Sequence, residues 1–153
     1  MSTRAIRYLK MTDVSFELVK YEDEEKGAEF AARATGFPLE RTVKTLVIDL
    51  VGSNYCLALL PGDRQLDMKQ LARVFAVKRA AMAAAATAER LTGYLVGGIS
   101  PFGTKQVLPA VMEKRIRKYA EVLINAGQRG VMMKMAPEGI VKAIGCRVES
   151  IVR

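Results

Sequence analysis

The sequence predicts a single α+β domain over residues 1–153, in which a mixed, barrel-like sheet is flanked by helices. The length suits one domain of ordinary size and leaves little room for a second. Half of the residues are hydrophobic and 26% are charged, a balance typical of a packed globular core. Strand-like and helix-like segments are interspersed without a strict βαβ rhythm, which indicates the α+β class with a mixed sheet or partial barrel.

Cap and turn residues divide the first quarter of the chain. Ser2 or Thr3 can cap a helix that runs to about residue 11. Apolar residues then alternate with polar ones along residues 14–21, which predicts a half-buried strand. The acidic residues 22–25 suit the positive end of a second helix, and Gly36 is placed to end it.

The middle of the chain contains the clearest strand and helix signals. Residues 42–49 and 55–60 are rich in Val, Ile and Leu and flank a Gly-Ser-Asn turn, so they predict a hairpin. Asp67 can cap a helix whose apolar residues recur at helical spacing up to Phe75. Residues 80–88 are rich in alanine, so propensity favours a helix, although apolar residues on every side of it indicate burial or an interruption.

A shaped loop and a second set of strands make up the rest. Residues 92–103 contain four glycines and a proline, too many for a regular element, and predict an irregular loop. Pro137 suits the first turn of a last helix, which Gly145 ends. The remaining predicted elements are strands at 107–112, 121–125, 131–135 and 147–152, with a basic turn at 114–118.

Composition bounds the chemistry. Lys and Arg number 24 against 16 acids, so the net charge of +8 favours an anionic partner. There is no histidine, which excludes catalytic triads and metal sites that need an imidazole. Cys56 and Cys146 lie far apart without a CxxC motif, so they are expected to be reduced and buried. We therefore expect neither a metal nor a cofactor.

The hydropathy pattern gives an expectation about the protein's location. No apolar run reaches the roughly 18 residues that a membrane-spanning helix needs, and the polar N-terminus lacks the apolar segment of a signal peptide. A soluble, cytoplasmic protein that does not bind membranes is the expectation.

Lys44 is the first candidate site residue, because it interrupts an apolar strand. Burying an unpaired ammonium is costly, so such a lysine commonly lies at a strand end or beside a cleft that binds an anion. The alternative is a lysine on an edge strand that simply faces water.

The glycine-rich segment 93–103 is the second candidate. Adjacent glycines at 97 and 98 let backbone N–H groups approach a ligand, where two donors could bind a phosphate or a developing oxyanion. The segment matches neither the phosphate-binding loop nor the dinucleotide fingerprint. A structural glycine turn is the alternative.

Two further segments could contact a ligand. Residues 125–130 form a polar, glycine-containing turn between apolar strands, and they predict either a hairpin connection or a binding loop. The basic turn 114–118 is commonly a solvated surface, although the positive net charge favours phosphate contacts that weaken with salt.

These segments together resemble one family. Tyr21, Phe30, the pair Lys44-Thr45, the string from Thr92 to Pro101 and the turn Gly127-Gln128-Arg129-Gly130 occur in the order and spacing of the YbaK type of aminoacyl-tRNA deacylase. That group comprises free-standing relatives of the editing domain in bacterial prolyl-tRNA synthetases. The resemblance covers essentially the whole chain and implies hydrolysis of a mischarged aminoacyl ester on tRNA for proline, with cysteine as the amino acid in close relatives.

The resemblance also implies roles for individual residues. By position, Lys44 is similar to the lysine that anchors the 3′-terminal adenosine or its phosphate, and Gly97 with Gly98 is similar to the backbone donor to the ester carbonyl. The positions similar to pocket walls or substrate-binding residues are Tyr21, Phe30, Thr45, Ser100, Pro101, Asn125, Gly127 and Arg129. Asn125 departs from the family, which usually has a small hydroxyl residue there, so the preferred amino acid can differ.

The implied mechanism needs no protein nucleophile or metal. An aminoacyl ester is already activated, so orientation and oxyanion stabilisation can suffice. The substrate's own thiol can attack the carbonyl, or water can do so. Expected partners are the aminoacylated 3′ end of tRNA and prolyl-tRNA synthetase. Two other functions fit the composition: a non-catalytic tRNA or single-strand binding module, and a hydrolase or lyase of small thiol compounds.

Overall fold

The computed structural model describes residues 2–22 and 28–153. Within these residues, the helices are α1 (Arg4–Lys10), α2 (Ala28–Thr35), α3 (Met68–Val74), α4 (Ala85–Thr92) and α5 (Pro137–Ile144). The strands are β1 (Glu17–Lys20), β2 (Thr42–Leu50), β3 (Tyr55–Pro61), β4 (Ala80–Met82), β5 (Ala110–Glu113), β6 (Val122–Gln128), β7 (Val131–Met135) and β8 (Arg147–Glu149). Two short 3₁₀ turns lie at Leu39–Arg41 and Lys114–Lys118.

The helix ends follow the capping residues that the sequence indicated. Thr3 caps α1 by accepting a hydrogen bond from the Ile6 N–H, and Asp67 caps α3 by accepting one from Gln70. Gly145 has a left-handed conformation and ends α5. These predictions are confirmed. The predicted acidic helix start falls mostly on residues 23–25, which lie outside the described residues.

The alanine-rich segment is a strand followed by a helix. Ala80–Met82 pairs antiparallel with Ile48–Leu50 and forms β4, so the helix begins only at Ala85. Pairing with β2 therefore overrides the helix propensity of alanine over the first three residues. The interruption that the sequence allowed is confirmed, and Gly93 ends α4 in the left-handed region.

Several strand boundaries differ from the prediction because hydrophobic alternation does not show where pairing begins. The strand predicted at 14–21 pairs only over β1, while Val14 and Phe16 pack against the core. The strand predicted at 107–112 starts only at β5, because Val107 is exposed in the loop. The strand predicted at 147–152 is shortened to β8.

The predicted polar turn at 125–130 is also wrong in its first half. Strand β6 continues to Gln128 and contains a bulge between Asn125 and Gln128, where its pairing with β7 shifts register. The reversal itself lies between Gln128 and Val131. The bulge therefore changes the direction of the Asn125 side chain and of the backbone at 126–128 relative to a regular strand.

All eight strands form one mixed sheet, which confirms the predicted α+β class. The strand order is β1-β7-β6-β2-β3-β5-β8, and β4 pairs with the same side of β2 as β6, further along that strand. The pairs β2–β6, β3–β5 and β5–β8 are parallel, and the others are antiparallel. The predicted hairpin of β2 and β3 is confirmed and lies at the centre of the sheet.

Strand β2 is packed on both faces. Val43 and Val47 point into the larger core cluster, which contains the buried residues of α1, α4 and α5. Ile48 and Leu50 point into a second cluster, which contains the buried residues of α3. Because side chains alternate along a strand, Thr45 lies on the face of Val43 and Val47, and Lys44 lies on the opposite face.

Candidate functional site

One side of β2 has a gap in its hydrogen-bonded neighbours. The ladder with β6 covers only Thr42 and Val43, and the ladder with β4 begins only at Ile48. Among the described residues no strand pairs with this side of residues 44–46. Thr42 O and Leu50 N bond towards β3, whereas Val47 O accepts from Ala83 N on the other side. The alternation therefore directs the Thr45 N–H and C=O towards the gap.

A cavity of about 550 Å³ lies at this gap. Because it wraps around the unpaired side of β2, residues from both faces of that strand line it. Its other walls come from Tyr21 just after β1, from α2, from the end of β4 through to α4, from the glycine loop, and from β6 and β7. The residues lining it are Tyr21, Ala28, Ala31, Val43, Lys44, Thr45, Leu46, Val47, Met82, Ala83, Ala85, Ala88, Val96, Gly97, Ile99, Asn125 and Met132.

Of the lining residues that the structure describes, only Lys44 is charged. Within the described part of the chain, no carboxylate lies within ion-pair distance of its ammonium. Burial lowers the pKa of Lys44, while the negative charges of Asp63 and Glu29 act against that shift. A partly desolvated ammonium without a salt bridge is a strong site for an anionic ligand.

Thr45, the next residue along β2, carries an unsatisfied polar atom. Its Oγ1 is buried and has no hydrogen-bond partner. Buried hydroxyls are normally hydrogen-bonded, and leaving one unpaired is costly. Thr45 lines the cavity, so rotation of its side chain about the Cα–Cβ bond would let a small polar group of a ligand supply the missing bond.

The glycine loop presents an unused backbone donor. Leu95 O accepts from the Gly98 N–H at 2.9 Å, and Gly97 has a φ of 96°, which together form a type II turn. The Gly97 N–H has no acceptor among the described residues. Of the two predicted backbone donors, Gly97 is therefore available to a ligand, and Gly98 is engaged in the turn.

Gly98 has a packing role in the same turn. A Cβ there would lie 3.1 Å from the Arg129 backbone nitrogen and 3.2 Å from the Gln128 backbone. The glycine loop therefore packs against the end of β6, backbone to backbone. Glu89 of α4 fixes the other end of the turn by accepting a 2.8 Å hydrogen bond from the Val96 N–H.

Asn125 joins the β6 bulge to the glycine loop. Its Oδ1 accepts from the N–H groups of Gly127 at 2.7 Å and Gln128 at 3.1 Å. Its Nδ2 consequently faces the loop and donates to Gly97 O at 3.4 Å. Gly127 has a φ of 95°, and a Cβ there would lie 2.7 Å from the Tyr94 ring. Asn125 thus both lines the cavity and holds the carbonyl next to the free N–H.

The structure brings five of the eleven candidate residues together around one cavity. They are Tyr21, Lys44, Thr45, Gly97 and Asn125. Phe30 lies behind Tyr21, with ring centroids 5.9 Å apart, and Gly98 and Gly127 support the loop and the bulge.

The other three candidates lie elsewhere. Ser100 is buried, and its hydroxyl accepts from the Phe102 N–H at 3.3 Å. Pro101 lines a second cavity of about 430 Å³, together with Arg4. The side chain of Arg129 is exposed on the β6–β7 turn.

The sequence did not indicate the residues that shape the cavity. Its walls include Ala28 and Ala31 of α2, Met82 at the end of β4 with Ala83 after it, and Met132 of β7. Small apolar residues have no chemical signature, so only the pairing of distant strands shows that they enclose space.

Nucleophilic and metal chemistry have little support in the described residues. Both cysteines are free and buried, and burial raises the pKa of Cys56 to about 12 and that of Cys146 to about 11. They are therefore protonated at neutral pH and poor nucleophiles. Within residues 2–22 and 28–153, no group of three or more His, Cys, Asp or Glu side chains could hold a metal ion.

The arrangement is suited to binding an anionic molecule with a polarised carbonyl. Lys44 can bind a phosphate or hydroxyl-rich group, Gly97 N–H can bind a developing oxyanion, and the apolar walls limit the size of the attached group. None of the helices in the described residues is both long enough and apolar enough to cross a bilayer.

Comparisons with known proteins agree with this chemistry. Residues 22–143 match the aminoacyl-tRNA editing domain family. A relative from Enterococcus faecalis, named as a candidate Cys-tRNA(Pro)/Cys-tRNA(Cys) deacylase, EbsC, is 30% identical over 91% of this chain and 86% of its own length. The Ser/Thr-tRNA deacylase ProXp-y of Escherichia coli is 31% identical over 87% of this chain and 83% of its own length.

A solved structure shows the same fold. It is described as that of a candidate trans-editing enzyme for prolyl tRNA synthetase. The two chains superpose with a TM-score of 0.89 over 100% of this chain and 99% of the other, at 24% sequence identity. The YbaK-like arrangement of strands and helices expected from the sequence is thereby confirmed.

Proposed function

The chain belongs to the aminoacyl-tRNA editing domain family, and on that premise we propose that it hydrolyses cysteinyl-tRNA for proline. Its relatives are named as tRNA deacylases, so the chain is a hydrolase of aminoacyl-tRNA esters rather than a binding module alone. The specific substrate, the residues that act on it and the synthetase partner are parts of the proposal.

The N–H of Gly97, which has no acceptor among the described residues, is the observation that best supports catalysis. It lies in the wall of a cavity that also holds Lys44, and the turn that presents it is fixed at Val96 by Glu89 and at Gly97 O by Asn125. A donor held in place before the reaction stabilises an oxyanion without reorganisation at the transition state. Lys44 anchors the terminal adenosine or its phosphate and so positions the ester carbonyl at that donor.

The proposed reaction uses the thiol of the substrate. The thiol loses its proton, and its sulfur attacks the carbonyl carbon of the same cysteinyl ester. The bond from that carbon to the 3′-oxygen of tRNA breaks, and the oxygen takes up a proton, so tRNA leaves as the alcohol. Water then opens the cyclic thioester and releases free cysteine. Orientation and oxyanion stabilisation are the contributions of the protein.

Blocking the thiol tests this reaction. We expect cysteinyl-tRNA to be deacylated and the S-methylcysteinyl ester to survive, because a thioether cannot form the cyclic thioester. The measurement is the release of amino acid from each ester under single-turnover conditions, with competition between the two esters to show that the methylated one binds. Equal rates on both esters would contradict thiol attack and favour attack by water.

A second substrate class has support from polar atoms of the cavity. The unsatisfied Oγ1 of Thr45 and the Nδ2 of Asn125 could both bond a hydroxyl group, which forms stronger hydrogen bonds than a thiol. A seryl ester, hydrolysed by water, is therefore the alternative that the same substrate panel must include. An alanyl ester, whose methyl group can make neither hydrogen bond, belongs in the panel as the comparison.

Asn125→Ser should change the preference among these esters. The substitution shortens the side chain and removes the donor to Gly97 O, so the ratio of rates on cysteinyl, alanyl and seryl esters should shift by about tenfold, or about 1.4 kcal/mol. Asn54→Ser in the exposed β2–β3 turn is the matched control and should leave the ratios unchanged. If the ratios of rates were unchanged in Asn125→Ser, Asn125 would not determine which amino acid the site accepts.

The proposed reaction would follow mischarging of tRNA by prolyl-tRNA synthetase. The substrate is the aminoacylated 3′ end of tRNA, which prolyl-tRNA synthetase would release after mischarging, and aminoacylation takes place in the cytoplasm. Co-purification of the synthetase and the chain in the presence of tRNA, compared with its absence, tests whether they associate.

A further inference from the structure

A second cationic feature lies just outside the cavity, where Arg41 is held between two aromatic rings. Its guanidinium carbon lies 4.7 Å from the Phe37 ring centroid and 5.7 Å from that of Tyr119. Its Nε and Nη2 donate to the backbone oxygen of Glu121 at 3.0 and 2.9 Å. That acceptor is a neutral carbonyl, and no carboxylate in residues 2–22 and 28–153 lies within ion-pair distance of Arg41, so these contacts orient its positive charge without neutralising it.

Lys118 shares one of these rings. Its ammonium lies 5.2 Å from the Tyr119 centroid and, in the described ranges, has no carboxylate within ion-pair distance. The other two arginines of the same 3₁₀ turn do have carboxylate partners, since Arg115 contacts Glu113 and Arg117 contacts Glu138. Arg41 and Lys118 are therefore cations available to a ligand on a chain of net charge +8.

This surface adjoins the cavity. Phe37 packs in the same apolar cluster as Tyr21, Ala31 and Met132, which line the cavity wall. Arg41 also lies only three residues before Lys44 along the chain, a distance of about 10 Å in an extended strand. A polyanion whose end is bound at Lys44 would place its next charges within reach of Arg41 and Lys118.

We propose that Arg41 and Lys118, supported by Tyr119, bind phosphates of the single-stranded 3′ end of tRNA as it enters the cavity. The inference rests on the proposed function, because it takes tRNA as the substrate. The rings fix the side-chain geometry, which reduces the entropy lost when a phosphate is bound. The contact is sequence-independent, so it adds affinity for the acceptor end of any tRNA.

Kinetics with a matched control test the surface. Arg41→Ala should raise KM for aminoacyl-tRNA by about tenfold and Lys118→Ala by a few fold, with kcat unchanged. Arg147 lies over Phe75 at 5.3 Å on β8, three strands from β2 in the sheet. Its Nη2 also lies 3.8 Å from Glu149, so Arg147→Ala removes the same kind of ring contact and a positive charge that has a carboxylate partner. That control should leave KM unchanged.

Salt and substrate length separate a phosphate contact from a structural effect. Each lost contact should reduce the slope of log KM against log salt concentration by about 1. Aminoacyl-adenosine lacks the upstream phosphates, so Arg41→Ala and Lys118→Ala should cleave it as the unmodified chain does. An equal effect of both variants on the short and long substrates, or none on tRNA, would overturn the proposal.

Binding of uncharged tRNA keeps this test independent of the reaction. Fluorescence anisotropy of labelled tRNA should show weaker binding by Arg41→Ala and Lys118→Ala than by Arg147→Ala, whichever ester is the substrate. Lys118 is exposed, so its variant is expected to fold even if Arg41→Ala does not. If the unmodified chain deacylated none of the esters, the proposed function would be refuted. If both variants bound tRNA as tightly as the unmodified chain, the role of Arg41 and Lys118 in phosphate binding would be refuted.

Discussion

Lys44→Ala is expected to abolish deacylation and to leave the fold intact. Among the described residues that line the cavity, Lys44 carries the only charge, so its removal leaves none of them to anchor the adenosine or phosphate beside the carbonyl. A mispositioned ester loses the benefit of proximity to Gly97, and effects of this kind commonly exceed a hundredfold in kcat/KM. Thermal unfolding should barely change, since no described carboxylate depends on Lys44 for an ion pair.

The control for this variant is Lys20→Ala, which removes an exposed strand lysine of β1 and should leave deacylation unchanged.

A pH profile of deacylation adds an independent readout. Burial lowers the pKa of Lys44, so the ammonium loses its proton at a lower pH than an ordinary lysine. Anion anchoring should therefore decline as the pH rises and Lys44 loses its proton, so activity should fall on the alkaline side of the profile. In Lys44→Arg this fall should move to higher pH, because arginine stays charged. Activity of Lys44→Ala within threefold of the unmodified chain would identify it as a surface lysine.

Gly97→Ala is expected to lose about 3 kcal/mol of transition-state stabilisation, or roughly a hundredfold in rate. The φ of 96° is strained for alanine, so the turn must shift and move the free N–H away from the oxyanion. The expected pattern is a lower kcat with tRNA binding retained, measured by single-turnover hydrolysis and by anisotropy.

Gly52→Ala is the matched control for that strain. Gly52 has a φ of 82° in the β2–β3 turn, and a Cβ there meets nothing within 4 Å. Gly52→Ala should therefore lower the free energy of unfolding by about as much as Gly97→Ala does, without a change in kcat. If Gly97→Ala weakened tRNA binding and rate by the same factor, the oxyanion role of Gly97 would be wrong.

Local patterns predicted the elements whose signals are local. The β2–β3 hairpin, the Asp67 cap and the end of α5 at Gly145 depend on neighbouring residues, and each is where the sequence indicates. Ala80–Met82 was ambiguous because its strand state depends on pairing with Ile48–Leu50, about thirty residues earlier. Strand ends were wrong for the same reason, since a partner strand, not hydrophobicity, decides where pairing stops.

The candidate site was predictable only in part. Lys44 and the glycine loop carry chemical signatures, and the resemblance supplied Tyr21, Thr45 and Asn125. The same string of residues could not show that Pro101 lines a different cavity or that the Gly98 N–H is used within the turn. Those facts depend on how the loop lies against the end of β6, which no local pattern describes.

The interruption beside β2 also limits which polymers can enter. An open strand edge ordinarily invites another polypeptide to add as a strand, and proteins must block such edges to avoid aggregation. Here the unpaired stretch, 44–46, is roughly 10 Å long at about 3.3 Å per residue and ends at β6 on one side and β4 on the other. A foreign strand would collide with these neighbours, while a chain terminus bearing one small acyl group can fit between them. Because the strand edge is enclosed on both sides, we expect the site to accept the terminus of a polymer and to exclude a continuous strand.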